Sequence, residues 1–385
     1  MALSNNAGQT ATSPTMTTTT VDDIPESMLA CQVVKFNAPY EIREVPTPRT
    51  LQPYDLLLKT AVASLCHTDS MVQAGVMGSK LPMTASHEPT GTVVATGSAV
   101  TDFQKGDRVL PGIMYDRCGH CIDCLGPEDY RQYCPNNGGA VGVQIDGAFA
   151  EYIVVDAREA SKLPDNLSFL SAAPLACAGC TVFRGVLQAG LVKGEWIGIV
   201  GSGGGLGHLG VQFAKALGLH VVGVDARDEG LELSKQAGAD VLVDARVEKE
   251  TVVQRVQSVT GGAGVDATVN VSDASSAAGL ACAITKMHGA MVQIAQPTEV
   301  SIPFAELIFR DIRVKGSLIS SRAEAQRMLA LTVEHGITVE KNVFRGLRAI
   351  PELVDLAHGG KMKGKGVVVI DEEAVGREEG REGML

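Results

Sequence analysis

The pattern of apolar and polar positions changes near residue 177 of this 385-residue chain. From Ala30 to about Val155, short apolar runs such as CQVVKF, DLLLKTAVAS and TGTVVATG alternate with turns, which is typical of an all-β domain that carries functional loops. After Cys177, apolar strand runs alternate with helical stretches. The predicted strands there are WIGIV, HVVGVD, DVLVDA, DATVNVS, GAMVQIA and IRVKGSL. This alternation predicts an α/β fold with a doubly wound parallel sheet.

Helical periodicity in the second region predicts helices over Leu206–Leu217, Glu229–Ala237 and Ser275–Ile284. In the first of these, Leu209 and Phe213 fall on one face and Gly218 supplies a stop. From about Ser317 the pattern is mixed again and ends in the strand-like run GKGVVVID. The chain is therefore expected to return to its first domain after the parallel sheet.

Both ends of the chain are expected to lie outside the folded domains. Residues 1–28 are rich in Thr and Ser and lack Lys and Arg, which predicts a disordered tail. The charged, glycine-containing end predicts a flexible tail over 371–385. Between them we predict a β-rich domain over 29–176, a dinucleotide-binding domain over 177–316 and a return segment over 317–370.

Composition narrows the class of protein. Hydrophobic residues make up 45% of the chain and charged residues 20%, which are ordinary values for a globular protein. The net charge of −11 disfavours a nucleic-acid partner, and no apolar run approaches the roughly 20 residues that cross a bilayer. Residues 1–28 lack both the apolar core of a secretory signal and the arginines of a transit peptide, so a cytoplasmic location is expected.

Four cysteines are crowded into the run CGHCIDCLGPEDYRQYC. They are Cys118, Cys121, Cys124 and Cys134. Four thiolates suit the preference of Zn²⁺ for soft ligands in a closed tetrahedral site, so a structural zinc is predicted here. Two disulfides are the alternative, which a reducing compartment disfavours.

A glycine-rich loop follows the predicted strand WIGIV and opens a predicted helix. Its residues are Gly201, Ser202, Gly203, Gly204, Gly205, Leu206 and Gly207. Such a loop lets the backbone approach a pyrophosphate at a helix N-terminus, although glycines also serve tight strand–helix packing. The next strand ends in Asp225, whose carboxylate can bind the ribose hydroxyls of adenosine and would repel a 2′-phosphate. NAD is therefore predicted over NADP, a preference that Arg227 would soften, and His208 is a candidate phosphate contact.

Several motifs, in a consistent order, carry a resemblance to a known family. They are CHTD at 66–69, the pair His87–Glu88, the four-cysteine run, APLACAGCTVF around Cys177, GSGGGLG at 201–207, NVS at 270–272 and GSLISSR ending in Arg322. With these motifs the chain resembles the zinc-dependent medium-chain alcohol dehydrogenases, most closely the fungal, yeast-type branch, from about Ala30 to Ile370. The resemblance implies a GroES-like catalytic domain, a Rossmann domain that binds NAD, and a homodimer or homotetramer. It also implies an oxidoreductase that interconverts an alcohol and an aldehyde or ketone.

The resemblance implies two zinc ions per chain. Cys66, His87 and Cys177 would bind the catalytic zinc and leave a fourth position for substrate oxygen, since two cysteines and one histidine are the ligand set known for alcohol dehydrogenases. The four-cysteine run resembles the lobe that holds the structural zinc. Asn270 ends a predicted strand, where nucleotides bind in this fold class, and is a candidate for the nicotinamide side.

Other roles follow from the same resemblance. Thr68 would take the proton of the substrate hydroxyl. His67 and Arg322 would lie near the NAD phosphates. Asp69 and Glu88 would orient the zinc ligands and tune the charge of the metal.

The chain departs from the family in its proton path and its substrate pocket. Met71 stands five residues after Cys66, where yeast-type enzymes usually carry a relay histidine, so the proton is expected to leave through His67, water or another path. The pocket tryptophans are missing, because the single Trp, Trp196, lies on the first sheet strand. Tyr115 is a candidate replacement. Smaller or more flexible walls predict a bulkier primary or aromatic alcohol, in fungal secondary metabolism, rather than ethanol.

Two alternatives stay open. A zinc-free quinone or enone reductase of the same superfamily is disfavoured by the complete set of Cys66, His87 and Cys177. A non-catalytic, zinc-stabilised nucleotide-binding protein is favoured only by Met71. The run Gly360–Lys365 is predicted to be a turn with solvated charges.

Overall fold

A computed structural model of the chain describes residues 24–360 and 362–382. The strands are β1 (Ser27–Val33), β2 (Glu41–Pro46), β3 (Asp55–Leu65), β4 (Met83–Thr84), β5 (Glu88–Thr96), β6 (Arg108–Leu110), β7 (Met114–Tyr115), β8 (Gly139–Ala140), β9 (Tyr152–Asp156), β10 (Ser161–Lys162), β11 (Trp196–Val200), β12 (His220–Asp225), β13 (Val241–Asp244), β14 (Val265–Asn270), β15 (Thr285–Gln293), β16 (Arg313–Gly316), β17 (Lys341–Arg345) and β18 (Lys365–Val369). The helices are α1 (His67–Gln73), α2 (Ile122–Leu125), α3 (Phe169–Ala172), α4 (Ala178–Gln188), α5 (Gly207–Ala216), α6 (Asp228–Gln236), α7 (Lys249–Val259), α8 (Ala277–Ile284), α9 (Phe304–Ile308), α10 (Arg322–Glu334), α11 (Ile350–His358) and α12 (Glu372–Glu382). Short 3-10 helices cover Glu128–Tyr133, Ala173–Ala176 and Leu347–Ala349.

Strands β11 to β16 form a parallel sheet in the order β13-β12-β11-β14-β15-β16. This is the strand order of the Rossmann fold, and it confirms the doubly wound sheet that the apolar pattern predicts. Helices α5, α6 and α8 lie where periodicity predicts them, with ends that differ by two residues at most. The order reverses between β11 and β14, so the loops after these two strands flank the crevice where nucleotides bind in such sheets.

The β-rich part contains a three-stranded sheet, β2-β1-β4, and a larger sheet in the order β10-β6-β5-β3-β18-β17, with β9 added beside β3. Strand β18, from the end of the chain, pairs antiparallel with β3. The chain therefore returns to this part after the parallel sheet. The residue boundaries of the domains stay predictions.

One apolar cluster extends across both sheets. It contains Val62 of β3, Phe183 of α4, Ile199 of β11 and Val367 of β18. Helix α4 is buried along most of its length and so joins the two parts. Among the described residues no single helix is long and apolar enough to cross a membrane, while the bent pair Phe169–Ala176 and Ala178–Gln188 meets that test by length and composition only.

The start of the described chain is more ordered than the sequence predicts. Ile24 is buried in a cluster with Leu51 and Leu57, and Met28 lies in β1. The predicted disordered tail is therefore wrong for residues 24–28, because two apolar side chains there find core positions. Residues 1–23 of that predicted tail lie outside the described residues.

The end of the chain differs from the prediction in the same way. Helix α12 occupies most of the predicted flexible tail and buries Ala374 and Val375. The carboxylate of Glu378 pairs with Arg108 and accepts a hydrogen bond from the Phe169 N–H at 2.9 Å. The flexible-tail prediction is wrong for this helix, because these contacts come from residues more than 200 positions away.

Candidate active site

The three predicted ligands of the catalytic zinc meet at one end of the larger β-sheet. Cys66 follows β3, and His87 precedes β5, the neighbour of β3. Cys177 lies between the 3-10 helix Ala173–Ala176 and α4. The Sγ atoms of both cysteines, a ring nitrogen of His87 and a carboxylate oxygen of Glu88 all lie within 4.8 Å of one another. Such a group has the size and the donor atoms of a single metal site.

The imidazole of His87 supplies the test of whether this group fits a metal. The residue is only 3% exposed, and neither Nδ1 nor Nε2 has a hydrogen-bond partner among the described residues. A buried polar atom without a partner costs about 1–3 kcal/mol. A Zn²⁺ ion at the sulfur atoms would give one of these two nitrogens a partner. A hydrogen bond from Cys177 holds the pKa of Cys66 well below its usual value, which favours the thiolate that binds metals.

Asp69 ties together two of the segments that carry ligands. Its buried carboxylate accepts hydrogen bonds from the Cys66 N–H at 2.8 Å and the Ser86 N–H at 2.9 Å. Burial raises the pKa of this carboxyl to about 6. Asp69 thus sets the position of Cys66 and of the residue before His87 without having to touch a metal.

Lys365 is the functional residue that sequence reasoning missed. Its Nζ lies 2.7 Å from Glu88 Oε2 and donates to the Leu65 carbonyl at 2.7 Å. Burial raises the pKa of Glu88 to about 7 and opposes the charge on Lys365, but the Glu88 carboxylate raises the pKa of Lys365 above its usual value. The prediction that Gly360–Lys365 carries only solvated charges is therefore wrong for Lys365. The one available signal was a lysine at the start of the apolar run GVVVI.

The residues of the predicted proton path lie in the first turn of α1. Thr68 Oγ1 is 3.7 Å from Cys66 Sγ, within reach of the metal group. His67 is exposed, whereas Met71 is half-buried. A proton released at Thr68 would therefore find His67 or water, and not Met71, on its way to the solvent.

The four-cysteine group is a second candidate metal site. The ligand atoms of Cys118, Cys121, Cys124 and Cys134 lie within 4.8 Å of one another. Cys118 Sγ and Cys134 Sγ are 3.6 Å apart, and Cys121 Sγ and Cys134 Sγ are 3.7 Å apart. A disulfide needs an S–S distance of about 2.05 Å, so the alternative of two disulfides does not fit. Backbone N–H groups of Cys118 and Cys124 donate to neighbouring sulfurs, as suits thiolates around a metal.

The glycine loop has little room for side chains. Gly201 has a φ of +89°, and a Cβ on Gly203 would lie 2.0 Å from the Gly230 carbonyl oxygen. A Cβ on Gly207 would lie 2.1 Å from the Gly201 oxygen. Asp225 Oδ2 accepts the Gly203 N–H at 2.9 Å, so the acid predicted to bind ribose also holds the loop. Gly204 and Gly205 complete the loop, and Leu206 precedes α5 as its N-cap.

His208 has a structural partner on each side of its ring. Nε2 accepts the Glu340 N–H at 3.2 Å, and Nδ1 therefore donates to the Gly204 carbonyl at 2.9 Å. Burial lowers the pKa of this histidine to about 4. The ring is neutral at neutral pH and braces the glycine loop, so the prediction of a phosphate contact does not fit this geometry.

Asn270 and Arg322 were predicted to bind the cofactor. Asn270 ends β14 beside the glycine loop, with Nδ2 donating to Gln293 Oε1 at 3.0 Å. Arg322 begins α10 and pairs with Asp102 on the β-rich part. Its predicted place at the NAD phosphates would require the guanidinium to leave Asp102, and it stays a prediction.

Tyr115 does not replace a tryptophan in the pocket. Its hydroxyl donates to Asp55 Oδ1 at 2.9 Å. Asp55 begins β3, whereas Cys66 follows the other end of this 11-residue strand, about 30 Å further along it. Trp196 lies on β11 and stacks on His220. Neither large aromatic residue therefore lines the space at the metal ligands.

Known proteins match both halves of this architecture. The family models "Alcohol dehydrogenase GroES-like domain" and "Zinc-binding dehydrogenase" match residues 52–165 and 205–334. An alcohol dehydrogenase of Geobacillus stearothermophilus is 35% identical over 347 residues, 89% of this chain and 100% of that protein. The structure of the alcohol dehydrogenase of Aeropyrum pernix has 29% identity and a TM-score of 0.81, covering 89% of this chain and 99% of that one. A cinnamyl alcohol dehydrogenase of Sorghum bicolor has 25% identity and a TM-score of 0.80, covering 90% and 98%. By its similarity over the full length of such relatives, this chain belongs to the zinc-dependent medium-chain alcohol dehydrogenases.

Proposed function

We propose that this protein is an NAD-dependent alcohol dehydrogenase that interconverts an alcohol and an aldehyde or ketone by hydride transfer. The observation that carries the proposal is the convergence of Cys66, His87 and Cys177, where the ring nitrogens of the buried histidine have no hydrogen-bond partner within the described part of the chain and one of them is free to bind a metal. The glycine loop and Asn270 lie at the adjoining switch point of the parallel sheet. Membership of the family supports the same reaction.

Two zinc ions per chain are part of this proposal. Cys66, His87 and Cys177 would hold one zinc ion. The segment 118–134, which we call the four-cysteine lobe, would hold the other. When bound at the first site, Zn²⁺ supplies Lewis-acid stabilisation of negative charge on a substrate oxygen. The lobe offers four sulfur ligands and leaves no position for substrate.

The chain's own residues would orient the reactants and carry the proton. Thr68 Oγ1 would take the proton of the substrate hydroxyl while it gives up its own hydroxyl proton, and the exposed His67 or water would carry that proton to the solvent. Asp69 holds the segments that carry Cys66 and His87 in fixed positions relative to each other. Glu88 and Lys365 place a neutralised pair beside the sulfur ligands, where they tune the local charge.

Asp225 would favour NAD over NADP. Its carboxylate is only 6% exposed and is aligned by backbone N–H groups, while the guanidinium of Arg227 lies 3.5 Å from Oδ1. A 2′-phosphate brought to this carboxylate meets a like charge, which Arg227 offsets only in part because its side chain is half-exposed. We therefore expect a preference for NAD rather than exclusion of NADP.

The proposed substrate is a bulkier primary or aromatic alcohol. Two observations support it: Trp196 and Tyr115 lie elsewhere, and the similar sorghum protein is a cinnamyl alcohol dehydrogenase. A place in fungal secondary metabolism and a cytoplasmic location stay proposals from the sequence.

A homodimer or homotetramer is proposed from the open edge of the parallel sheet. Strand β16 ends that sheet, and all four of its residues are exposed. Phe304, Ile308 and Phe309, which come shortly before β16 in the chain, are each at least 66% exposed. An exposed edge with apolar neighbours favours pairing with a second copy.

The deciding experiment measures zinc per chain and NAD-dependent oxidation of cinnamyl alcohol, benzyl alcohol and ethanol. We expect two zinc ions in the wild type and one in Cys66→Ala, which also loses turnover. Cys282→Ala, at a buried thiol outside both groups, should keep both ions and its activity. One zinc in both the wild type and Cys66→Ala would favour the zinc-free reductase, and a higher kcat/KM for ethanol would contradict the proposed substrate class.

A further inference from the structure

The four-cysteine lobe is attached to the segment that joins the two parts of the chain. Its 3-10 helix, Glu128–Tyr133, precedes the ligand Cys134. Glu128 Oε1 accepts the Ala323 N–H at 3.1 Å, and the Tyr133 hydroxyl accepts the Leu318 N–H at 3.2 Å. These two hydrogen bonds fix the position of the lobe relative to the start of α10.

One buried guanidinium contacts both the lobe and α10. Arg184 is 3% exposed, and its Nη1 lies 2.8 Å from both carboxylate oxygens of Glu324. The same nitrogen is 3.6 Å from Asp129 Oδ2 in the lobe. The guanidinium carbon lies 5.9 Å from the ring centre of Tyr133. A buried positive charge that loses its partners is costly, so these groups hold one another in place.

The same arginine belongs to the helix that follows a ligand of the other metal group. Helix α4 begins directly after Cys177, and Arg184 lies seven residues on, two turns later on the same face. The first turn of α4 is also clamped, because Ser320 Oγ donates to the Cys180 carbonyl at 2.6 Å. At Gly179 a Cβ would lie 3.1 Å from the sulfur of Met328 on α10. Because α4 and α10 pack this closely, we expect a shift of either helix to displace Cys177.

We propose that Arg184 is a positioning residue that links the two metal groups, so that an intact lobe is required for tight metal binding at Cys66, His87 and Cys177. The inference rests on the two zinc sites of the proposed function. The contacts at Arg184 form a continuous route from the lobe to the helix that begins after Cys177. When the lobe loses its metal, Asp129 and Tyr133 lose their fixed positions, and Arg184 and α4 relax with them.

The test is a double-mutant cycle on the full-length, zinc-loaded protein. Zinc release to a chromogenic chelator is followed, and the phase absent from Cys66→Ala is assigned to the catalytic site. Cys134→Ser disrupts the lobe, and Arg184→Met removes the charge. We expect each change to speed release from the catalytic site about tenfold, and the pair to speed it little further, because both break one route. Thermal unfolding identifies any variant that fails to fold.

Two further variants keep the test specific. Arg184→Lys should restore slow release, because both ion pairs start from a single nitrogen, which a lysine can replace. Arg327→Met, which removes an arginine over Phe183 between the same helices, should leave the release rate unchanged. If Cys134→Ser empties the lobe without changing catalytic-site release, or if its effect adds fully to that of Arg184→Met, the link is refuted. A wild type with no catalytic-site phase would instead refute the proposed function.

Discussion

At the scale of single residues, the metal group is held by buried charges that come from distant parts of the chain. Lys365 and Glu88 are 277 positions apart and form an ion pair whose side chains are almost fully buried. Such a pair adds little stability by itself, but removing one partner leaves an uncompensated charge in the core. Positioning of the metal ligands therefore depends on partners that no local motif contains.

Lys365→Met is expected to lower the free energy of unfolding by about 3–5 kcal/mol, because the buried Glu88 loses its partner and must either keep an uncompensated charge or take up a proton. Urea unfolding of the zinc-loaded protein measures the change. Adding Glu88→Gln should recover part of the loss, since the amide carries no charge. Arg377→Met, which breaks an exposed ion pair with Glu373, should cost less than about 1 kcal/mol. Equal losses in the two single variants would contradict this account.

At the scale of elements, the glycine loop and α5 are braced by the segment that leads into β17. His208 joins Gly204 to Glu340, and Gln212 accepts the Thr338 N–H at 2.9 Å. Tertiary contacts therefore hold the loop in this conformation, together with the close backbone packing that its glycines allow. A neutral histidine is part of the brace.

The brace should weaken in acid. Burial lowers the pKa of His208 from 6.5 to about 4, with the nearby Lys365 charge acting in the same direction. Below pH 6.5 the unfolded chain takes up a proton that the folded chain refuses, so stability falls as the pH drops towards 4. Between pH 7 and pH 5 this histidine should account for a loss of about 2 kcal/mol in urea unfolding. His208→Gln should lose that part of the pH dependence, whereas His120→Gln, at an exposed histidine, should keep it.

Helix α12 offers a second prediction at this scale. Val375 is 1% exposed, so Val375→Ala should lower the free energy of unfolding by about 2 kcal/mol, through lost burial and the cavity left behind. Glu373→Ala, at an exposed site on the same helix, should change it by less than about 0.5 kcal/mol. If Val375→Ala left the free energy of unfolding unchanged, the helix would not pack on the domain in solution.

At the scale of the whole molecule, the parallel sheet and the larger sheet of the β-rich part share one apolar cluster, and strand β16 forms an exposed edge of the parallel sheet. Val314 in this strand is 41% exposed, and Phe304 and Ile308 of α9, with Phe309 directly after it, are 66–70% exposed. Burying these side chains in an interface would gain roughly 25 cal/mol per Å² of apolar surface. This is the expected driving force for a dimer.

Val314→Lys should therefore lower the molar mass of the wild-type assembly, measured by light scattering after size exclusion. A charge on the edge strand opposes strand pairing between copies. Val192→Lys, at a site that is 67% exposed and outside this edge, should leave the mass unchanged. A monomeric wild type, or an unchanged mass for Val314→Lys, would rule out β16 as the interface.

Most of the site was predictable wherever the chemistry is local in sequence. The cysteine spacing, the CHTD run and the glycine loop each contain their own evidence, since their residues act within one loop or one turn. The strands β11 to β16 were predictable because a buried parallel strand is a short apolar run. Tyr115 shows the opposite case: its residue type suits a pocket wall, but its hydroxyl is held by Asp55 at the far end of β3.

By itself, then, the sequence determined the fold class, the four-cysteine group, the glycine loop and the candidate ligands Cys66, His87 and Cys177. Only the tertiary structure decided that Lys365 neutralises Glu88, that Arg184 joins the lobe to α4, and that α12 packs on the domain. The physical reason is the distance along the chain over which each kind of information acts. Periodicity and motif spacing report on neighbours along the chain, whereas the charge state of a buried group depends on which distant side chain the fold brings within 3 Å of it.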